Sequence, residues 1–145
     1  MDIVVLIFIA FYFFIGAMVF RDRSYMKWKE LRKKHYCSRS DYKAVNNPKD
    51  DHRFVYAINK TWHSSNYIEI RMDSDNLYLC GEQYCFFWGW LHPPVKIPFF
   101  ELEHCGQKRY WANKREVVQL KINEHVLKYG LPKELFTKFW PAQSN

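Results

Sequence analysis

Glycine is scarce in this sequence, and the five glycines are scattered along the chain rather than clustered. Phosphate-binding loops, dinucleotide-binding fingerprints and nucleophile elbows all need closely spaced glycines beside a strand or a helix. The sequence therefore lacks the usual signatures of nucleotide-binding enzymes and of α/β-hydrolases. No internal repeat or low-complexity tract is present either, which excludes solenoid and propeller architectures. We predict a protein that is not an enzyme and uses no cofactor.

Cysteine is also limited, and the four cysteines form no dense disulfide framework of the kind found in small secreted domains. They are Cys37, Cys80, Cys85 and Cys105. The Cys80-x4-Cys85 spacing lacks the tight pairing of a structural zinc site, so we predict no metal site. A thiol nucleophile at Cys80 or Cys105, with His92 or His104 as base, is a lesser alternative. Cysteines in aromatic strands are more often small buried hydrophobic residues.

A long uncharged stretch, Ile3 to Phe20, lies between Asp2 and Arg21. As a helix it is about 27 Å long, close to the hydrocarbon thickness of a bilayer. The pattern predicts a transmembrane anchor over residues 1–21. A cleaved secretory signal is less consistent, because it normally starts with basic residues and ends in a small-residue cleavage site. A buried helix of a soluble domain is the remaining alternative, although a helix apolar all round leaves no face for water.

Positive charge is concentrated directly after this stretch, where residues 21–39 carry +6 of the total net charge of +7. Basic residues beside a span stay on the cytoplasmic side, so we expect a single-pass membrane protein with its N-terminus outside. Residues 22–37 have helical spacing and form a predicted basic amphipathic juxtamembrane helix. Because residues 40–145 carry only +2, we expect no nucleic-acid partner.

The basic residues beside the stretch are candidates for binding anionic lipid headgroups. They are Arg21, Arg23, Lys27, Lys29, Arg32, Lys33 and Lys34. The simpler alternative is that they are solvated and only determine orientation. Residues 38–53 contain clustered turn formers and are predicted to be a linker loop.

A β-rich cytoplasmic domain is predicted over residues 54–145, because apolar residues there recur with a period of two. Residues 67–72 and 77–80 flank the turn Asp73 to Asn76 and indicate an antiparallel hairpin. Another strand is predicted to begin at Phe54. Further strands are predicted at residues 84–91, 95–99, 101–106, 110–111 and 117–122, and a charged turn is predicted at residues 113–116. A short helix from about Pro132 to Phe139 covers the sheet.

The passage from Asn76 to Leu102 resembles a set of small uncharacterised bacterial single-span membrane proteins and, more loosely, GRAM and pleckstrin-homology-like domains. The shared elements are Leu77-Tyr78-Leu79, an aromatic strand, His92-Pro93-Pro94 and Ile97-Pro98, with Phe99 at a position often held by tryptophan. The resemblance implies an α+β domain, a mostly antiparallel and partly open barrel with a short C-terminal helix. It also implies a location at a bacterial inner membrane, but it implies no activity.

Aromatic residues make up 19% of the chain and are dense around the central strands. Alternation sends half of them to each face, and one small sheet with one helix cannot bury both faces. Rigid aromatic anchors for a protein partner are expected at Phe86, Trp88, Trp90 and Trp111. We therefore predict a non-enzymatic protein-interaction module, an accessory subunit or a small regulatory or immunity factor with a membrane-protein partner. Recognition of anionic lipid is the alternative function. A curled sheet that buries one set of rings is the simpler structural alternative.

Overall fold

A computed structural model of the chain describes residues 2–25, 27–45, 54–58, 61–65, 68–81, 92–110 and 112–141. Three helices precede the strands and a fourth follows them in this part of the chain. The helices are α1 (Ile3–Tyr25), α2 (Trp28–Lys34), α3 (Arg39–Ala44) and α4 (Lys133–Phe139). The strands are β1 (Phe54–Ile58), β2 (Thr61–Ser65), β3 (Ile68–Met72), β4 (Asn76–Gly81), β5 (Val95–Pro98), β6 (Leu102–Tyr110), β7 (Asn113–Ile122) and β8 (His125–Pro132). A 3₁₀ turn, Phe99–Glu101, joins β5 to β6.

The strands form two sheets in which each described pairing is antiparallel. One sheet has five strands in the order β2-β1-β8-β7-β6, and the other has three in the order β3-β4-β5. The prediction of a mostly antiparallel sheet followed by a short helix is confirmed. The pairing of β1 with β8 brings together Val55 and Gly130.

The predicted hairpin is confirmed as β3 and β4, and Asp73 holds its turn. The Oδ1 atom of Asp73 accepts hydrogen bonds from the backbone amides of Asp75 and Asn76, both at 2.8 Å. Its Oδ2 atom accepts a 2.7 Å bond from the Tyr78 hydroxyl. An aspartate that bonds to the backbone two and three residues ahead stabilises a tight turn.

The core lies between the two sheets. The five-stranded sheet contributes alternate residues such as Tyr56, Val118 and Tyr129, and the smaller sheet contributes Leu79 and Ile97. Helices close its sides, with Trp28 and Leu31 from α2 and Leu135 from α4 in the same cluster. Their burial explains why the short helices α2 and α4 are stable, since helices of this length are marginal without tertiary packing.

The two edge strands of the five-stranded sheet contact each other through their side chains. A flat sheet of five strands would hold its two edges about 19 Å apart. Yet the Lys108 Nζ atom of edge strand β6 lies 4.7 Å from the ring centre of Trp62 in the opposite edge strand β2. Val55 and Val117, which alternate away from the main core, are nevertheless buried. Part of the second face of this sheet is therefore buried as well.

Two helical predictions need correction. The single helix expected over residues 22–37 is divided, because the chain takes a left-handed conformation at Lys27, with φ 50°. The preceding residues continue α1 to Tyr25. The predicted linker at 38–53 contains α3, whose first turn is capped by a 3.1 Å bond from the Asp41 amide to the Ser38 hydroxyl.

The charged turn that was predicted between the last two strands is also wrong. Residues 113–116, expected as a charged turn, begin the continuous strand β7. Pairing of Glu116 with Gln107 and Leu131 extends the ladder through this charged segment. The predicted aromatic strand at 84–91 lies outside the described residues.

The prediction of a transmembrane anchor at residues 1–21 is corrected as well. The uncharged stretch of eighteen residues does not form a separate helix, because α1 continues through Arg21 and Arg23 to Tyr25. In the part of the chain that the structure describes, no helix is both long and apolar enough to cross a membrane. This finding contradicts the expected single-pass location at a bacterial inner membrane.

Candidate functional site

The apolar side chains of α1 are largely exposed. Four consecutive residues, Phe11, Tyr12, Phe13 and Phe14, are 59%, 68%, 76% and 64% exposed. Successive residues of an α-helix are rotated by about 100°, so these four point in four directions. The apolar surface of α1 therefore surrounds the helix instead of forming one stripe.

Helix α2 is fixed against the smaller sheet at several points. The buried Trp28 donates a 3.0 Å hydrogen bond from its Nε1 atom to the Pro93 carbonyl, and its ring meets the His92 ring edge-on at 4.9 Å. At the other end of the helix, the Lys96 amide donates to the His35 carbonyl at 2.9 Å. These contacts determine which side of α2 faces solvent.

The outer side of α2 carries a basic groove of about 410 Å³. It is lined by Trp28, Lys29, Arg32, Lys33 and Tyr36. The three cations are exposed, and Tyr36 is 67% exposed although it bridges to Val95 through its backbone. The structure thus brings together three of the seven basic residues that the sequence singled out.

Lys34 takes no part in this groove because it is paired elsewhere. Its Nζ atom lies 2.7 Å from the Glu101 Oε2 atom, and the His35 Nε2 atom lies 3.3 Å from the same oxygen. Burial lowers the pKa of His35, partly opposed by the negative charge of Glu101 and reinforced by Lys34. Within the described residues, Lys29, Arg32 and Lys33 have no comparable ion pair.

The remaining predicted site residues are not among those that line the groove in the described part of the chain. Arg21 is exposed on α1, and Lys27 is half-buried where α1 gives way to α2. Arg23 belongs to α1. The four predicted partner-binding aromatics, Phe86, Trp88, Trp90 and Trp111, lie outside the described residues.

The described cysteines are free thiols, and Cys85 lies outside the described residues. Burial raises the pKa of Cys80 to about 12 and raises that of Cys37 and the exposed Cys105 as well. A thiol with a raised pKa is a poor nucleophile near neutral pH. Among the described residues, no three histidine, cysteine or acidic side chains are grouped to hold a metal ion.

A polar cluster that sequence reasoning missed lies on β6 and β7. The buried Glu116 is 2.8 Å from the His104 Nε2 atom and accepts a 2.5 Å bond from the Gln107 amide. The His104 ring packs 4.7 Å from Phe136 of α4. A carboxylate that orients an imidazole is part of many catalytic sites, but the neighbouring Cys105 thiol bonds to the Glu103 carbonyl instead. The cluster satisfies buried polar groups and fixes α4 on the sheet.

Arg115 is a second buried polar residue that the sequence did not reveal. It is 6% exposed, and its Nε and Nη1 atoms have no hydrogen-bond partner among the residues that the structure describes. Burial lowers its pKa, and the charge of Glu134 opposes this shift. The side chain lies beside Gly130, where an added Cβ atom would be 3.3 Å from the Arg115 Cβ atom. Gly130 therefore provides the space that this arginine occupies.

Comparison of the chain with protein-family models, curated proteins and solved structures finds no match. The resemblance to the bacterial set and to GRAM and pleckstrin-homology-like domains therefore stays a prediction. Function has to be argued from the surfaces of α1 and α2.

Proposed function

We propose that this protein is a non-enzymatic binding module that docks onto a partner protein through α1. The exposed apolar surface around that helix is the observation that carries the proposal. Contiguous apolar surface on this scale is unusual for a protein that works alone and typically marks an interaction site. Burial of each large apolar side chain contributes about 1.5–3 kcal/mol, so several of them offset the entropy cost of association.

The form of the apolar surface indicates the form of the partner. A second copy of α1 packed alongside would cover one side of the helix and leave Phe11 or Phe13 exposed on the others. An apolar groove formed by several helices of a partner would cover the whole circumference. This favours a hetero-complex, in which the present chain is an accessory subunit, over a simple helix-paired dimer.

The experiment is purification of the tagged full-length chain from its native cells in a mild non-ionic detergent, with the composition of the complex determined by mass spectrometry. The test variant is Phe11→Gln with Phe13→Gln. We expect a stoichiometric partner protein with the unaltered chain, and at least tenfold less of it with the variant. Glutamine preserves helix propensity while it removes the apolar contacts.

The matched control is Phe100→Gln, because Phe100 is 87% exposed but belongs to the 3₁₀ turn and not to α1. This control is expected to retain the partner. Equal recovery of the partner with the α1 variant would contradict the proposal. So would a chain that carries no protein partner and instead sediments with protein-free lipid vesicles, or one that forms only a homo-oligomer.

A further inference from the structure

We infer that the groove on α2 is a binding site for a phosphate monoester, held by Lys29, Arg32, Lys33 and Tyr36. The inference goes beyond the proposed function, since none of these residues belongs to α1. It joins four observations: the groove, its positive charge without an ion pair among the described residues, the packing of its wall and the types of donor that line it.

The charge of the groove is arranged on one side of a short helix. Lys29 is three residues before Arg32 and four before Lys33, a spacing that puts side chains within about 5–6 Å at Cβ. Like charges at this spacing repel one another and destabilise the helix, unless an anion lies between them. Glu30, the acidic residue of α2, does not line the groove, and Glu101 is bound to Lys34.

The wall of the groove is preorganised. Trp28 is 1% exposed and hydrogen-bonded to the Pro93 carbonyl, and Leu31 is fully buried, so α2 cannot roll to disperse its cations. The backbone bridge of Tyr36 to Val95 fixes the far end of the groove. A site held in place before the ligand arrives loses less entropy when the ligand binds.

The types of donor favour phosphate over carboxylate. A phosphate monoester carries up to two negative charges near neutral pH and three terminal oxygens, whereas a carboxylate carries one charge on two oxygens. The planar Arg32 guanidinium can donate two parallel bonds to such oxygens, while Lys29 and Lys33 act as point charges. The Tyr36 hydroxyl is a further donor. At about 410 Å³ the groove also has room for the group attached to the phosphate.

The test is calorimetric titration of the full-length chain, in a non-ionic detergent at low salt, with glycerol phosphate as the probe. The first variant is Arg32→Lys, which preserves charge but removes the planar fork. We expect at least a fivefold loss of affinity, because lysine cannot reproduce the paired hydrogen bonds. The second is Lys29→Glu with Lys33→Glu, for which we expect a loss of at least tenfold.

The matched control is Lys121→Glu with Lys133→Glu, which makes the same change of net charge at two exposed lysines on β7 and α4. It is expected to change the affinity less than twofold. If the control weakens binding as much as the groove variant, or if Arg32→Lys binds like the unaltered chain, only diffuse attraction is present and the inference fails.

Two sources of the phosphate group can be distinguished with the same variants. Binding of soluble glycerol phosphate assigns the site to a water-soluble ester. No soluble binding, together with an effect of Arg32→Lys on association with vesicles that contain phosphatidic acid but not with vesicles of neutral lipid, assigns it to a lipid headgroup. Failure of both probes overturns the inference.

Discussion

Helix α1 and the paired sheets are both rich in large apolar residues, yet they use them in opposite ways. Phe13 of α1 is 76% exposed, whereas Phe99 after β5 is 5% exposed and packs 5.1 Å from the Trp140 ring. The difference lies in periodicity. Strand residues alternate, so one face finds an opposing sheet, while α1 is apolar in every direction and has no described element long enough to surround it. Apolar content therefore indicates burial only where the fold supplies an opposing surface.

The strongest test of this contrast compares one leucine in each region. Leu79→Ala in β4 should lower the free energy of unfolding by about 2–5 kcal/mol, because Leu79 is fully buried and the change leaves a cavity. Leu6→Ala in α1 should change it by less than about 0.5 kcal/mol, because Leu6 is 47% exposed. Urea unfolding monitored by tryptophan fluorescence measures both. Equal losses would show that α1 packs on the sheets.

The turn of the β3–β4 hairpin offers a second test, based on pH. Burial alone would raise the pKa of Asp73, but hydrogen bonds from Tyr78 and from the amides of Asp75 and Asn76 outweigh it and lower the pKa below its usual 3.8. The carboxylate therefore stabilises the fold fully above pH 3.8. This stability is lost as the pH falls from there through the lower pKa of the folded state.

Asp73→Asn should accordingly cost about 1.5–3 kcal/mol at neutral pH, the usual range for hydrogen bonds to a charged group. It should also flatten the dependence of stability on pH below 3.8. Tyr78→Phe, which removes one of the donors, should give an intermediate slope. Denaturant unfolding at a series of acidic pH values measures this. An unchanged slope in Asp73→Asn would mean that other carboxylates dominate acid unfolding.

The smallest effect is expected at the contact between α2 and the sheets. Trp28→Phe retains most of the buried ring but leaves the Pro93 carbonyl without its 3.0 Å partner. The expected loss is about 1 kcal/mol, the lower end of the cost of an unsatisfied acceptor, because this hydrogen bond is only partly buried. Tyr36→Phe is the control. Because Tyr36 is 67% exposed, this variant should have nearly the same free energy of unfolding as the unaltered chain. A loss below about 0.5 kcal/mol for Trp28→Phe would indicate that water satisfies the carbonyl.

The sequence predicted correctly those elements that are specified by a short run of neighbouring residues. The β3–β4 hairpin followed from alternation on both sides of an Asp-Ser-Asp-Asn turn, and α4 followed from Pro132 before a spaced apolar set. Strand β2 was missed because residues 61–65 show no alternation of apolar and polar side chains. Strand β8 was missed because Lys128 and Gly130 interrupt its apolar pattern. Helix α3 had a readable signal, since Ser38 precedes Asp41 at capping spacing.

Features that depend on distant residues could not be predicted in this way. The sequence indicated the basic side of α2. It did not indicate that Lys34 pairs with Glu101 instead of joining the other basic residues, because 67 residues separate the pair. Charges at Lys114 and Glu116 indicated a turn, whereas pairing with Arg109 and Gln107 makes the segment a strand. The burial of Arg115 beside Gly130 similarly needs the β7–β8 register.

The pairing of β1 with β8 has a consequence for the order in which the protein assembles during synthesis. Tyr56 lies opposite Tyr129, so the larger sheet cannot close until the C-terminal part of the chain has left the ribosome. At about 5–20 residues per second, α1 is outside for several seconds before any β-core exists to accompany it. During that interval α1 has no completed sheet beside it, and under the proposed function the docking partner is the surface that would cover it.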